Sequence, residues 1–295
     1  MIENGKAKSV QRREFMKKTW FTGEYVIVSG ASRGIGKEVC LILIKKYGAK
    51  VVGIGRDEEK MQQLVAQLGE DRDKFTYRLF DVGVQENWLS FKEWLLQEGI
   101  SPVLIVNNAG AFPTFNRADK TDVSVYEQLL KVNYLSCVYS VNALLPIVKK
   151  PEKGLGGIVN VSSSAALCSV VGTAPYSATK AAVKGFTEAL AMENKGKYYV
   201  GIIYPGTTAT DLFKGDKNTD DSILYKVATK PEKMAKKVVK ALCRRKKRAV
   251  LGADAKMMNA IAKIAPVKGL GLIAWVMKIS KSKVFTNVFE KKEKK

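Results

Sequence analysis

Residues 25–36 read Tyr25-Val26-Ile27-Val28-Ser29-Gly30-Ala31-Ser32-Arg33-Gly34-Ile35-Gly36. A short β-branched run closes on a glycine-rich turn, and apolar residues at helical period follow from Gly36 to Tyr47. Glycines at a strand–helix turn let the backbone approach a pyrophosphate, which the free N–H groups of the helix N-terminus then hold. Gly30, Ser32, Arg33, Gly34, Ile35 and Gly36 are therefore candidate dinucleotide contacts. The spacing is Gly-x-x-x-Gly-x-Gly rather than the Gly-x-Gly-x-x-Gly of the common fingerprint. Taken alone, it also fits a tight turn with no ligand.

Beyond this unit the pattern alternates. Short apolar runs over 50–54, 75–80, 103–106, 157–161 and 199–203 predict strands. Longer segments of helical period over 58–68, 85–98, 123–148 and 175–194 predict helices between them. A Pro-initiated helix is expected over 231–245 and a short last strand over 249–252. Alternation of this kind reads as an α/β chain: a single Rossmann-type, doubly wound parallel sheet with helices on both faces, plus a basic helical C-terminal extension. The division expected is a basic arm over 1–22, a nucleotide-binding and catalytic domain over 23–252, and a basic amphipathic extension over 253–295.

The second strand ends on Ile54-Gly55-Arg56-Asp57. A carboxylate at this point would hold the ribose hydroxyls of NAD, whereas an arginine accommodates the 2′-phosphate of NADP. Arg56, with Arg33 as a second candidate, favours NADP(H). Asp57 reads as the N-cap of the next helix.

No histidine occurs anywhere in the chain. That removes the side chain most often used for proton transfer near neutral pH, and the commonest ligand of transition metals. Acid–base chemistry must come from another group. In Pro175-Tyr176-Ser177-Ala178-Thr179-Lys180, Tyr176 and Lys180 lie one helical turn apart on one face. An ammonium there favours the phenolate, so the Tyr176 pKa is expected to fall from its usual value of about 10. As a lone pair this is weak evidence, since Tyr-x-x-x-Lys occurs by chance in many helices.

Together these residues resemble the short-chain dehydrogenase/reductase family over residues 25–252. The glycine turn is similar to its Thr-Gly-x-x-x-Gly-Ile-Gly, with Ser29 in place of the threonine. Asn107-Asn108-Ala109-Gly110 is similar to the family's Asn-Asn-Ala-Gly after the fourth strand, which brings Asn108, Ala109 and Gly110 to the cofactor. Tyr176 and Lys180 match the catalytic pair, and Ser163, thirteen residues before Tyr176, matches the catalytic serine. Asn133 matches the helical asparagine of the tetrad. Pro205-Gly206-Thr207-Thr208-Ala209-Thr210 matches the segment that contacts the nicotinamide, placing Pro205, Gly206, Thr208 and Thr210 there. Asp81 falls where the family holds the adenine. The resemblance implies that Ser163 hydrogen-bonds a substrate carbonyl and Tyr176 protonates its oxygen. It further implies that Lys180 lowers the Tyr176 pKa and holds the nicotinamide ribose, and that Asn133 fixes a water linking Lys180 to solvent. Homodimers and homotetramers are usual in the family.

At 295 residues and 46% apolar, the chain can bury a substantial core. Cys40, Cys137, Cys168 and Cys243 are scattered without metal-ligand spacing, so no metal site and a reduced, cytoplasmic protein are expected. Arg12-Arg13-Glu14-Phe15-Met16-Lys17 looks like a twin-arginine signal, yet the chain runs directly into the first strand and is read instead as a basic arm. No apolar run reaches the roughly 18 residues of a membrane span.

The net charge of +22 is unevenly placed. Residues 226–295 carry 21 Lys/Arg against 4 Asp/Glu, while residues 21–225 carry 23 against 22. Residues 211–230 are polar and read as a lid. Beyond Gly252, Met257, Met258, Ile261 and Ile264, then Leu270, Leu272, Ile273, Trp275, Val276 and Ile279, stand among lysines. Packing on the body or on a partner subunit is the simplest reading, an anionic membrane surface the next, and nucleic acid the least supported. The stretches around Lys230-Pro231-Glu232, Leu251-Gly252-Ala253-Asp254 and Ala265-Pro266-Val267 also resemble the 3-ketodihydrosphingosine reductases, a lipid-directed branch of the family. The function expected is NADPH-dependent reduction of an apolar, lipid- or steroid-like ketone to a secondary alcohol. Alternatives are a 3-oxoacyl thioester or 3-ketosphinganine reductase, or a non-catalytic NADP-binding scaffold or membrane-surface protein.

Overall fold

The computed structural model describes residues 18–210, 228–280, 282, 285 and 287–289. The expected arm up to position 17 and the expected lid from 211 to 227 lie outside the described residues. The strands are β1 (Tyr25–Ser29), β2 (Lys50–Gly55), β3 (Phe75–Leu79), β4 (Pro102–Asn107), β5 (Gly157–Val161), β6 (Tyr199–Pro205) and β7 (Arg248–Leu251). The helices are α1 (Gly34–Tyr47), α2 (Glu58–Leu68), α3 (Gln85–Gln97), α4 (Val123–Leu129), α5 (Ser136–Leu144), α6 (Ala174–Glu193), α7 (Pro231–Cys243), α8 (Ala253–Ile264) and α9 (Lys268–Ile279). All strands pair in parallel, in the order β3-β2-β1-β4-β5-β6-β7.

That order locates the site. The chain winds outward from β1 to β3, then returns past β1 to start β4 on its other side. The loops leaving β1 and β4 therefore diverge, opening a crevice at the carboxyl ends of the strands. The glycine turn follows β1 and Asn107–Gly110 ends β4, so two segments 79 residues apart meet there.

Both faces of the sheet are covered. Alternate residues of β1 point to opposite sides, with Val26 and Val28 in the core under α1, α2 and α7. Ile27 joins the core under α3, α5 and α6. On α7, Met234, Val238 and Leu242 recur at helical spacing and are fully buried, each contributing about 1.5–3 kcal/mol. Trp20 and Phe21, read from sequence as part of the arm, belong to this core. Phe21 is fully buried and the Trp20 indole donates to the Leu242 carbonyl at 3.1 Å, under the Arg245 guanidinium.

One predicted helix differs. The segment 123–148 is not continuous: a π-helical stretch, Leu130–Leu135, joins α4 to α5. The wider turn displaces the backbone by a residue, and Asn133 sits inside it.

Candidate active site

The crevice is built from the glycine turn upward. Gly30 adopts a φ of 68°, which a side chain would strain. A Cβ on Gly36 would run into the Gly30 carbonyl oxygen, so only glycine lets α1 start this close to the turn. The Ser29 hydroxyl accepts from the Asn108 and Ala109 N–H groups, both at 3.0 Å, and the Asn108 amide donates to the Ser29 carbonyl at 3.0 Å. These bonds tie the ends of β1 and β4 together. Helix α1 begins with no side chain capping its N-terminus and no acid in its first turn. Its free N–H groups and positive dipole end face the crevice, an environment for a phosphate.

At the far end, Asp57 caps α2 by accepting from Lys60 N at 3.1 Å. Arg56 points across to Asp81, with 3.4 Å between Nη1 and Oδ2, and is two-thirds exposed (67%). The arginine expected to meet a 2′-phosphate and the carboxylate expected to hold an adenine thus face each other. Asp81 is itself fixed by the Gly83 N–H at 2.8 Å.

Across the crevice, α6 carries Tyr176 half-buried and Lys180 buried. The Lys180 ammonium donates to the Val161 carbonyl at 3.1 Å, and the Ser162 hydroxyl donates to the Lys180 carbonyl at 2.8 Å, clamping the end of β5 onto α6. Ser163 accepts from the Ala165 N–H at 3.2 Å and hydrogen-bonds the Tyr176 phenol. The expected lowering of the Tyr176 pKa is not what the structure shows. Burial pushes the phenol above its usual value, opposed by the Ser163 hydrogen bond. Lys180 stands 5.8 Å from the Tyr176 ring centre, and burial lowers its own pKa by disfavouring the ammonium. Desolvation is the leading cause of both shifts, opposed by Ser163 at the phenol and by Cys137 at the ammonium.

Asn133 is fully buried behind this row, with both amide N–H donors used. Its Oδ1 accepts from Ala111 N at 2.7 Å, while Nδ2 donates to the Ala111 carbonyl at 3.0 Å and to Thr179 Oγ1 at 3.1 Å. It pins the loop after β4 against α6. Of the residues expected at the site, all but Asn133 and Gly36 line a single cavity of about 870 Å³.

The sequence did not single out several of its walls. Phe112 meets Tyr176 edge-on with ring centres 5.0 Å apart, and Phe115 meets both Phe112 (5.1 Å) and Phe285 (5.0 Å). An aromatic row therefore runs from the tyrosine to the C-terminal extension. Met258 and Ile273, which the sequence did single out, complete the apolar end together with Met277 of the same extension. Asp254, in the first turn of α8, accepts from the Thr207 N–H at 2.6 Å and packs against Gly206. It anchors the 205–210 segment to the extension. No spacing signal points to it, because its partner is a backbone N–H 47 residues away.

Residues 24–221 match the family model described as short chain dehydrogenase. A 3-ketodihydrosphingosine reductase of Bos taurus is 30% identical over 259 residues, covering 84% of this chain and 77% of the relative. A serine dehydrogenase solved with NADP+ is 30% identical, with a TM-score of 0.66 over 74% of this chain and 88% of that one. A short chain dehydrogenase of Shigella flexneri, complexed with NADP, has a TM-score of 0.70 at 24% identity, over 79% and 98% of the two chains, and shows the same fold.

Proposed function

Because this chain belongs to the short-chain dehydrogenase family, we propose that it is an NADPH-dependent reductase of a long, apolar ketone. The observation that carries the substrate class is the aromatic row from Tyr176 to Phe285, which makes the substrate end of the cavity apolar. Relatives described as 3-ketodihydrosphingosine reductases favour a 3-ketosphinganine-type compound within that class.

NADP(H) fits the cradle: the uncapped α1 N-terminus and the Gly30–Gly36 turn would take the pyrophosphate, and Arg56 the 2′-phosphate. Pro205, Gly206, Thr208 and Thr210, steadied by Asp254, would border the nicotinamide, which when bound supplies the hydride. Ser163 donates to the ketone oxygen and orients it. Tyr176 then delivers its proton to that oxygen as negative charge develops. Lys180, held by the Val161 carbonyl, would place positive charge near the tyrosine and would hold the nicotinamide ribose. Asn133 keeps the Ala109–Phe112 loop in place. The same reading makes the active form a homodimer or homotetramer, in the cytoplasm or at the periphery of a membrane. Among the described residues no helix is long and apolar enough to cross one.

NADPH oxidation against a ketone panel tests this. A long-chain 3-keto sphingoid base should give the highest kcat/KM, above a 3-oxoacyl thioester and a small water-soluble ketone. Absence of turnover with every member, or equal use of NADH, would reject the reading. Arg56→Ala should raise the KM for NADPH about tenfold or more and leave that for NADH unchanged, the loss of one charge-assisted contact. Asp254→Ala should also raise the NADPH KM by about tenfold with kcat less affected, because Thr207 N–H loses its charged acceptor. Asp254→Asn, which keeps an acceptor oxygen, should recover part of that loss.

A further inference from the structure

Helices α8 and α9 carry two apolar faces. The inner one, with Met258, Ile273 and Met277, lines the substrate end of the cavity. Ile273 and Met277 are one turn apart, so they share a face. The outer one is exposed: Leu272, Trp275, Val276 and Ile279 recur at helical spacing on another side of α9, and Ile264 and Val267 at the corner are 84% and 80% exposed. Of the sixteen large hydrophobic residues exposed among the described residues, seven lie between Ile264 and Ile279 and outside the cavity. A concentration of that kind marks a docking surface rather than scattered exposure.

Charge identifies the occupant. Lys256, Lys263, Lys268 and Lys278 are exposed on the same two helices, and no acidic residue occurs between positions 255 and 289. Beside the start of α8 a second cleft, of about 510 Å³, is lined by Lys237, Lys240, Arg244, Lys246 and Lys256, with no carboxylate among its lining residues. Apposing two copies of this face would set lysine against lysine, whereas an anionic sheet satisfies the cations and the apolar residues together.

We propose that the outer face of α8–α9 and the adjoining basic cleft lie on an anionic phospholipid bilayer, with headgroup phosphates in the cleft. The substrate then passes from the bilayer to Tyr176 along the inner face of the same two helices. The second part rests on the reading of an apolar ketone substrate; the first does not.

The test uses the full chain and its Leu272→Glu/Trp275→Glu variant, two exposed positions outside the cavity. Sedimentation is measured with vesicles of phosphatidylserine and phosphatidylcholine, and with phosphatidylcholine alone. Wild type should pellet with the anionic vesicles, and be released at about 1 M salt, where the screening length is about 3 Å. The variant should bind them about tenfold more weakly. Its rate with a small soluble ketone should match wild type, confirming the fold, while its rate with a bilayer-dissolved long-chain ketone should fall about tenfold. Equal pelleting of the two proteins, or none of wild type at low salt, overturns the surface. So does a change of oligomeric state in the variant without vesicles, which would assign the face to a second copy. Vesicle binding with equal loss of both ketone activities overturns the access route alone. Vesicle binding by a wild type that reduces no ketone leaves the surface standing and rejects the enzymatic reading.

Discussion

Tyr176→Phe should lower kcat for ketone reduction by a factor of about 10² to 10⁴, the range for loss of a positioned general acid. The phenyl ring retains the edge-on contact with Phe112, so stability and NADPH affinity should stay near wild type. Steady-state kinetics with a thermal melt and an NADPH fluorescence titration check all three. The pH dependence follows from the direction of the phenol's shift. Burial raises the Tyr176 pKa, so the group stays protonated through neutral pH and remains a proton donor. Reduction should therefore hold level from about pH 6 to 8 and be lost only as pH rises through the raised pKa. Alcohol oxidation needs the phenolate, so its rate should climb by up to about tenfold per pH unit over the same range. An oxidation rate that falls with rising pH would remove Tyr176 from the role.

Gly36→Val should abolish measurable NADPH binding, with an affinity loss of about 100-fold or more. A Cβ at this position meets the Gly30 carbonyl and lies 2.5 Å from the Asn108 amide nitrogen. Both neighbours are locked, the first in the backbone of the turn and the second by its bond to the Ser29 carbonyl. Neither can yield without opening the turn that would hold the pyrophosphate. Overpacking of this kind also costs about 1–3 kcal/mol, so the melting temperature should drop by several degrees. Isothermal titration with NADPH beside a melting curve separates the two effects. Unchanged affinity would show that the turn is not where the cofactor binds.

Much of the fold was legible locally. β1 announces itself because Val26, Ile27 and Val28 form an unbroken apolar run ahead of glycines, as a strand buried on both faces must. Strand β5 and helix α2 have the predicted boundaries, because a turn or cap residue stands at each end: Asp57 caps α2 and Gly69 ends it. The interruption of the 123–148 helix was not legible, since Leu130–Leu135 has no proline or glycine to announce it. It arises where Asn133 is drawn to the backbone of Ala111, on a loop that only the folded sheet brings near.

The same division runs through the site. The residue types for cofactor and proton transfer, their order, and the absence of histidine are properties of the sequence, because a glycine turn and a Tyr–Lys pair are set by spacings of a few residues. The direction of the Tyr176 shift is not, because it depends on how much water the fold leaves around the phenol, and desolvation there exceeds the opposing effect of the Ser163 hydrogen bond. Nor could spacing show that Phe285 reaches Phe115, or that Asp254 holds Thr207, because each joins segments far apart in the chain. Local sequence determined the chemistry; tertiary packing decided its protonation and the apolar wall the substrate meets.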